Sequence, residues 1–90
     1  MEKHTFEIIE TIDVTFPHFR KYSHFYYKVL NETYEISITY YPEKPLESAE
    51  IRYEKICMQN TFRNGSYEIT EDEFNETFAL ACKLINSKNK

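Results

Sequence analysis

The last third of the chain carries apolar residues at the spacing of an α-helix. They share one face at a period of about 3.6 residues and are Phe74, Phe78, Ala81, Cys82 and Ile85. Residues 70–73 match a capping box, in which the Thr70 hydroxyl accepts a hydrogen bond from the amide of Glu73. Acidic side chains in this first turn also complement the positive end of the helix dipole. The pattern predicts an amphipathic scaffold helix over 71–86 and a frayed tail over 87–90.

The middle of the chain alternates apolar and polar positions with the period of a β-strand. The alternation is clearest over 34–41, where its apolar members are Tyr34, Ile36, Ile38 and Tyr40. The preceding stretch, 24–30, is rich in aromatic and β-branched residues, which favour strands. Residues 31–33, Asn-Glu-Thr, suit a hairpin connection. We therefore predict two antiparallel strands joined by a short turn.

Two further segments are compatible with either a strand or a helix. For 46–58 we favour a strand over 50–57, because a two-stranded hairpin alone is marginally stable. For 5–16 we also favour a strand over a short helix. The inward residues of that strand would be Phe6, Ile8, Ile12, Val14 and Phe16. The whole pattern predicts one α+β domain over 1–90: a three- or four-stranded antiparallel sheet with the C-terminal helix packed on one face.

Composition excludes several classes of protein. The net charge of −4 argues against a general nucleic-acid binder, and no apolar stretch approaches the ~20 residues that span a bilayer. The N-terminus lacks the apolar region of a secretory signal, so we expect a cytoplasmic protein with no membrane contact. Cys57 and Cys82 make no disulfide framework and are expected to be free thiols. The abundance of Lys, Ile, Asn, Glu and Tyr is typical of AT-rich bacterial or phage genomes.

Candidate catalytic and metal-binding residues are few. The histidines His4, His18 and His24 lack the close spacing of zinc ligands. The acidic residues over 71–76 are explained by helix capping, and the single glycine excludes a glycine-rich phosphate loop. We therefore predict no catalytic residue, no metal and no cofactor, and we expect that the protein is not an enzyme.

Basic and aromatic side chains concentrate over 18–30, which contains no acidic residue. Such interleaving can bind single-stranded nucleic acid, because bases stack on the rings and phosphates meet the cations. The same pattern also fits a strand whose rings lie in the core and whose cations lie in solvent. Acidic residues cluster instead over 32–50 and 68–76, where they would steer a basic partner or keep the protein soluble.

Tyrosine is unusually frequent, with eight residues and no tryptophan in the chain. In the predicted hairpin Tyr27 and Tyr40 share the core face, so that Tyr26 and Tyr41 point away from it. Outward tyrosines either form an interface, where Tyr is enriched at binding hot spots, or are covered by the N-terminal strand.

The leading hypothesis is a non-catalytic protein–protein interaction module, whose partner is another protein or a second copy of the chain. The predicted binding surface is the outward sheet face with its adjoining basic stretch: Arg20, Tyr22, Tyr26, Lys28 and Tyr41. One form of this hypothesis is a small acidic inhibitor of a nucleic-acid-handling enzyme, as phages and mobile elements encode. The alternative is a single-stranded nucleic-acid binder that uses 18–28.

Three segments, 25–30, 34–37 and 67–74, together resemble small uncharacterised bacterial proteins. Those proteins share a tyrosine-rich hairpin and a closing Ile-Thr-Glu-x-Glu-Phe helix. The resemblance covers roughly 24–85 and consists of structural motifs. It implies a fold and no activity.

Overall fold

The computed structural model describes residues 3–7 and 11–88. Its strands are β1 (Lys3–Glu7), β2 (Thr11–Thr15), β3 (His18–Tyr22), β4 (Phe25–Val29), β5 (Tyr34–Tyr41), β6 (Ser48–Lys55) and β7 (Tyr67–Glu68). Its helices are α1 (Met58–Thr61) and α2 (Glu71–Lys88). Within the described residues, five strands form an antiparallel sheet in the order β6-β5-β4-β3-β7, and β1 pairs with β2 as a separate hairpin.

The predicted α+β class, antiparallel sheet and C-terminal helix are confirmed, whereas the prediction of three or four strands is wrong. The main sheet has five strands because β3 and the two-residue β7 add to one side. The chain reverses tightly between β3 and β4 at Ser23, whose φ is 53°. Aromatic residues occur on both sides of Ser23, so the sequence pattern gives no sign that the chain reverses there. Strand β7 has only two residues, which is too few to show an alternation.

The predicted central hairpin is confirmed as β4 and β5. Its turn is held by the Asn31 side chain, whose Oδ1 accepts hydrogen bonds from the amides of Thr33 and Tyr34 at 2.8 and 2.9 Å. The strand interpretation of 46–58 is also confirmed, because β6 pairs along its length with β5. The other edge of β6 pairs with no strand in the described part of the chain.

The single strand predicted over 5–16 is wrong, since the segment contains two strands, β1 and β2, that pair with each other. Ile8 lies outside the described residues. The inward residues are otherwise correctly predicted: Phe6, Val14 and Phe16 are buried together, with Ile12 partly buried beside them. The alternation of apolar and polar residues thus identified extended backbone, but it could not show that the chain reverses between β1 and β2.

Helix α2 begins as its capping residues predict. The amide of Glu73 donates to Thr70 Oγ1 at 3.1 Å. The helix buries Phe74 against the sheet, and it ends at Lys88, two residues beyond the predicted end. Its inward face is turned relative to the predicted stripe, because Thr77 is buried whereas Phe78 is 37% exposed.

Apolar side chains fill both faces of the sheet. On the face that α2 covers, the buried cluster comprises Phe19, Ile38, Ile69, Phe74 and Ala81. On the opposite face, the β1–β2 hairpin and the region of α1 cover one part of the sheet. The buried cluster there comprises Phe6, Val14, Phe16, Val29 and Phe62.

The segment after α1 returns to the sheet through a turn at Gly65. This residue has a φ of 95°, and a Cβ added to it would lie 3.2 Å from Cε1 of Tyr22. The backbone conformation therefore favours glycine, and a side chain here would also crowd the ring of Tyr22. The turn leads directly into β7, which pairs with β3.

Of the helices in the described residues, neither is long and apolar enough to cross a membrane.

Candidate functional site: a carboxyl-lined groove

The structure divides the five predicted binding residues between the two faces of the sheet. Val29 pairs with Glu35, so odd-numbered residues of β4 and β5 share one face and even-numbered residues share the other. The prediction that Tyr27 and Tyr40 share the core face is therefore wrong. Tyr26 and Lys28 lie on the α2 side, where Tyr26 packs against the buried cluster. The opposite face carries Arg20, Tyr22 and Tyr41.

Two of these residues meet at one end of the sheet despite lying on different faces. Tyr26 and Tyr41 line a surface depression of about 370 Å³ that is completed by the loop after β5. His24 packs on Tyr41 there, with 4.5 Å between ring centroids. The structure does not bring Lys28 into this depression.

Each cation of the predicted basic–aromatic stretch packs over an aromatic ring of the chain itself. Lys21 lies 4.9 Å from the centroid of Tyr26, and Lys28 lies 5.8 Å from that of Phe19. Arg20 donates from Nη2 to Ser66 O at 3.0 Å and to Ser66 Oγ at 2.9 Å. Arg20 therefore fastens the segment after α1 to the sheet.

A groove of about 390 Å³ lies on the sheet face opposite α2. Its floor consists of side chains from β4, β5 and β6, and residues 57–63 form a wall. The lining is mainly polar, with Ser37, Thr39 and Asn60 among its hydrogen-bonding groups. An open groove with such a lining is suited to a polar or charged group rather than to an apolar one.

Glu35 lies on the floor of this groove and is only 1% exposed. The Thr61 hydroxyl donates to its Oε1 at 2.6 Å. The pKa of Glu35 is raised to about 7, chiefly by burial and also by the neighbouring Glu54, against the opposing effect of the hydrogen bond from Thr61. The carboxyl group is therefore partly protonated near neutral pH.

The other oxygen of Glu35, Oε2, has no hydrogen-bond partner among the residues that the structure describes. No fully buried side-chain oxygen in that part of the chain lacks a partner. Glu35 is itself one of the residues that line the groove. A nearly buried carboxyl group therefore lies at the groove with one oxygen that has no partner in the described part of the chain.

Glu54 stands directly opposite Glu35 in the pairing of β5 with β6. Its Oε1 accepts a hydrogen bond from Ser37 Oγ at 3.1 Å. Across 3–7 and 11–88, Arg52 is paired with Glu50, and the His18 ring lies 3.7 Å from the Glu68 carboxylate. Glu35 and Glu54 are thus held by neutral hydroxyls, without a cationic partner in the described part of the chain.

Arg63 lies at the end of the groove wall, next to the aromatic rings of Tyr22 and Phe25. It donates to the Tyr27 hydroxyl at 2.8 Å and to Asn60 O at 2.7 Å. Its guanidinium also lies over the rings of Tyr22 and Phe25, at 4.4 and 5.2 Å from their centroids. These contacts hold the cation at the rim, and they bring the predicted residue Tyr22 to the edge of the groove.

Sequence reasoning counted Glu35 only as one of the acidic residues over 32–50, and it missed the other residues on which this groove depends: Glu54, Thr61 and Arg63. Period-two alternation places Glu35 on the polar side of its strand, which normally faces solvent. The signal that it is buried lies 26 positions away, at Thr61. Among the residues described, no group of three or more His, Cys, Asp or Glu side chains could hold a metal ion.

Comparison of the chain with protein-family models, with curated proteins and with solved structures gives no match. The resemblance to small bacterial proteins with a tyrosine-rich hairpin stays a prediction. The function is therefore argued from the geometry of the groove.

Proposed function

We propose that this protein is a non-catalytic binding module that holds a segment of a partner protein on the sheet face opposite α2. The groove over β4, β5 and β6 is the observation that carries the proposal. It combines hydrogen-bonding side chains with an aromatic and arginine-lined end at Tyr22, Phe25 and Arg63. Tyr and Arg are the residues that most often anchor protein interfaces.

Charge supports a basic partner. The chain has a net charge of −4, and the groove lining has more carboxyl groups than guanidinium groups. The carboxyl groups are those of Glu35, Glu50 and Glu54, and the guanidinium groups are those of Arg52 and Arg63. Complementary charge accelerates the encounter of two proteins and excludes wrong partners. A cytoplasmic protein of bacterial or phage origin that inhibits an enzyme by this route is one form of the proposal.

The cation contacts favour a protein over single-stranded nucleic acid as the partner. Binding by the stretch 18–28 would need its cations for phosphates and its rings for bases. Arg20, Lys21 and Lys28 instead pack over rings of the chain, and Arg20 is also hydrogen-bonded to Ser66. We expect no binding to oligonucleotides at low salt. Binding that weakens log-linearly as salt rises would favour the nucleic-acid alternative.

Site-specific photocrosslinking in the native host tests the proposal. A photoreactive amino acid at Thr39, in the groove, is expected to crosslink to one defined protein or to a second copy of the chain. The matched control is the same group at Glu76, an exposed residue of α2. Equal crosslinking from both positions, or none from Thr39, would contradict the assignment of this face.

A further inference from the structure

We propose that the groove binds an ammonium or guanidinium group, the end of a Lys or Arg side chain of the partner protein, between Glu35 and Glu54. This inference rests on the proposed function and specifies the chemistry that the partner must supply.

The pairing of β5 with β6 provides the first argument. Glu35 and Glu54 are directly opposite residues on one face of the sheet. Whenever both carboxyl groups are ionised, these like charges destabilise the sheet, whereas opposite charges in such a position stabilise it. A cation placed between the two carboxylates would replace their repulsion with two attractive contacts.

The unpartnered oxygen of Glu35 provides the second argument. Glu35 lines the groove and is only 1% exposed, and its Oε2 has no hydrogen-bond donor among the described residues. Ammonium and guanidinium groups supply several N–H donors together with positive charge, and their hydrogen bonds to carboxylates are about twice as strong as neutral ones. An incoming cation therefore fits both the charge and the hydrogen bonding of the site.

The cations near the groove are already engaged. Arg52 is paired with Glu50, and Arg63 donates to Tyr27 and Asn60. A metal ion is a poor occupant, because a third ligand of the His, Cys, Asp or Glu type is lacking in the described part of the chain. An organic cation supplied by the partner protein fits what the described residues leave open.

Binding should release a proton. At neutral pH part of the population holds Glu35 as the neutral acid, and an adjacent cation favours the carboxylate. The acid O–H bond then breaks, its proton goes to solvent, and an N–H···O bond to the incoming cation replaces it. The titratable and charged groups that also line the groove are Tyr27 from β4, Glu50, Arg52 and Glu54 from β6, and Cys57 and Arg63 from the wall.

Carbon-13 NMR of the Glu35 carboxyl provides the test, with acetyl-pentalysine amide as the probe. We expect millimolar probe to lower the apparent pKa of Glu35 by about one unit. The neutral peptide acetyl-pentaglutamine amide should leave it unchanged. Carboxyl signals of Glu71 and Asp72, on the exposed helix start, report non-specific attraction to acidic residues.

Two variants sharpen the test. Glu54→Gln removes one side of the site, so the probe-induced shift at Glu35 should fall by at least half. Glu71→Gln removes a carboxylate of the same charge outside the groove and should leave that shift unchanged. An equal shift in Glu54→Gln, or a larger response at Glu71 than at Glu35 in the unmodified protein, would overturn the inference.

The outcomes separate this inference from the proposed function. A crosslinked partner at Thr39 without any probe-induced shift at Glu35 supports the binding module and overturns the cation site. A shift at Glu35 without a crosslinked partner supports the cation site and overturns the protein-binding function.

Discussion

The two faces of the main sheet are stabilised in different ways. On the α2 side, Phe19, Ile38 and Phe74 pack into one apolar cluster. On the opposite side the apolar cluster covers only part of the sheet, and the rest is a polar groove with the buried carboxyl of Glu35. Burial of a carboxyl group without a charged partner opposes folding. Sites that break the usual rules of packing are often functional ones, so the contrast directs attention to the groove.

Removal of a ring from the apolar face should have the largest effect. We expect Phe74→Ala to lower the free energy of unfolding by about 3–5 kcal/mol, through lost burial and the cavity that remains. Phe74 is 2% exposed, whereas Leu80 on the same helix is 43% exposed. Leu80→Ala is the matched control and should cost less than about 1 kcal/mol. If urea unfolding gave similar losses of unfolding free energy for Phe74→Ala and Leu80→Ala, this face would not be the main source of stability.

The buried carboxyl group on the groove face should make the free energy of unfolding depend on pH. The folded protein holds Glu35 neutral up to about pH 7, whereas the unfolded chain ionises it near its ordinary pKa of 4.5. Folding therefore takes up a proton between these values. The stabilising contribution is complete below about pH 4.5 and is lost as pH rises to about 7, a change on the order of 3 kcal/mol.

The Glu35→Gln variant isolates this contribution. Gln is neutral at every pH, so the variant should match the unmodified protein near pH 5 and exceed it in stability near pH 8. Burial lowers the pKa of His18, which adds its own pH dependence to both proteins and cancels in their difference. A difference in unfolding free energy that stays constant from pH 5 to pH 8 would rule out a buried, neutral Glu35.

The smallest effect on stability is expected at the start of α2, the helix that covers the apolar face of the sheet. Thr70→Ala removes the acceptor for the amide of Glu73 and should lower stability by about 1 kcal/mol. Thr70→Ser keeps the hydroxyl and should restore most of that loss in the same unfolding measurement. If serine behaves like alanine, the side-chain hydrogen bond is not what caps α2.

Local interactions explain which parts of the fold could be predicted. The helix start depends on Thr70 and Glu73, which lie within one turn, and the central hairpin depends on Asn31 and its next three residues. Both signals are readable in a short window of sequence. The number of strands was not readable, because the reversal at Ser23 and the short β7 leave no periodic pattern.

The groove could not be predicted, because it is assembled from distant residues. Glu35 occupies a polar position of its strand, and only the arrival of Thr61 and the segment around it buries the carboxyl. The predicted surface also disagrees with the strand pairing, which places Tyr26 and Tyr41 on opposite faces of the sheet. Of the predicted surface, Tyr22 reaches the rim of the groove, through its contact with Arg63.

The turn at Gly65 has a consequence for the unfolded chain as well as for the folded one. Gly65 is the only glycine in ninety residues, where about six would be average. Glycine has the largest conformational entropy to lose on folding, and each replacement by another residue at a compatible site gains roughly 0.4–1 kcal/mol. A glycine-poor chain therefore begins from a less disordered ensemble. For a domain this small, that reduction is comparable with the few kcal/mol of its expected net stability.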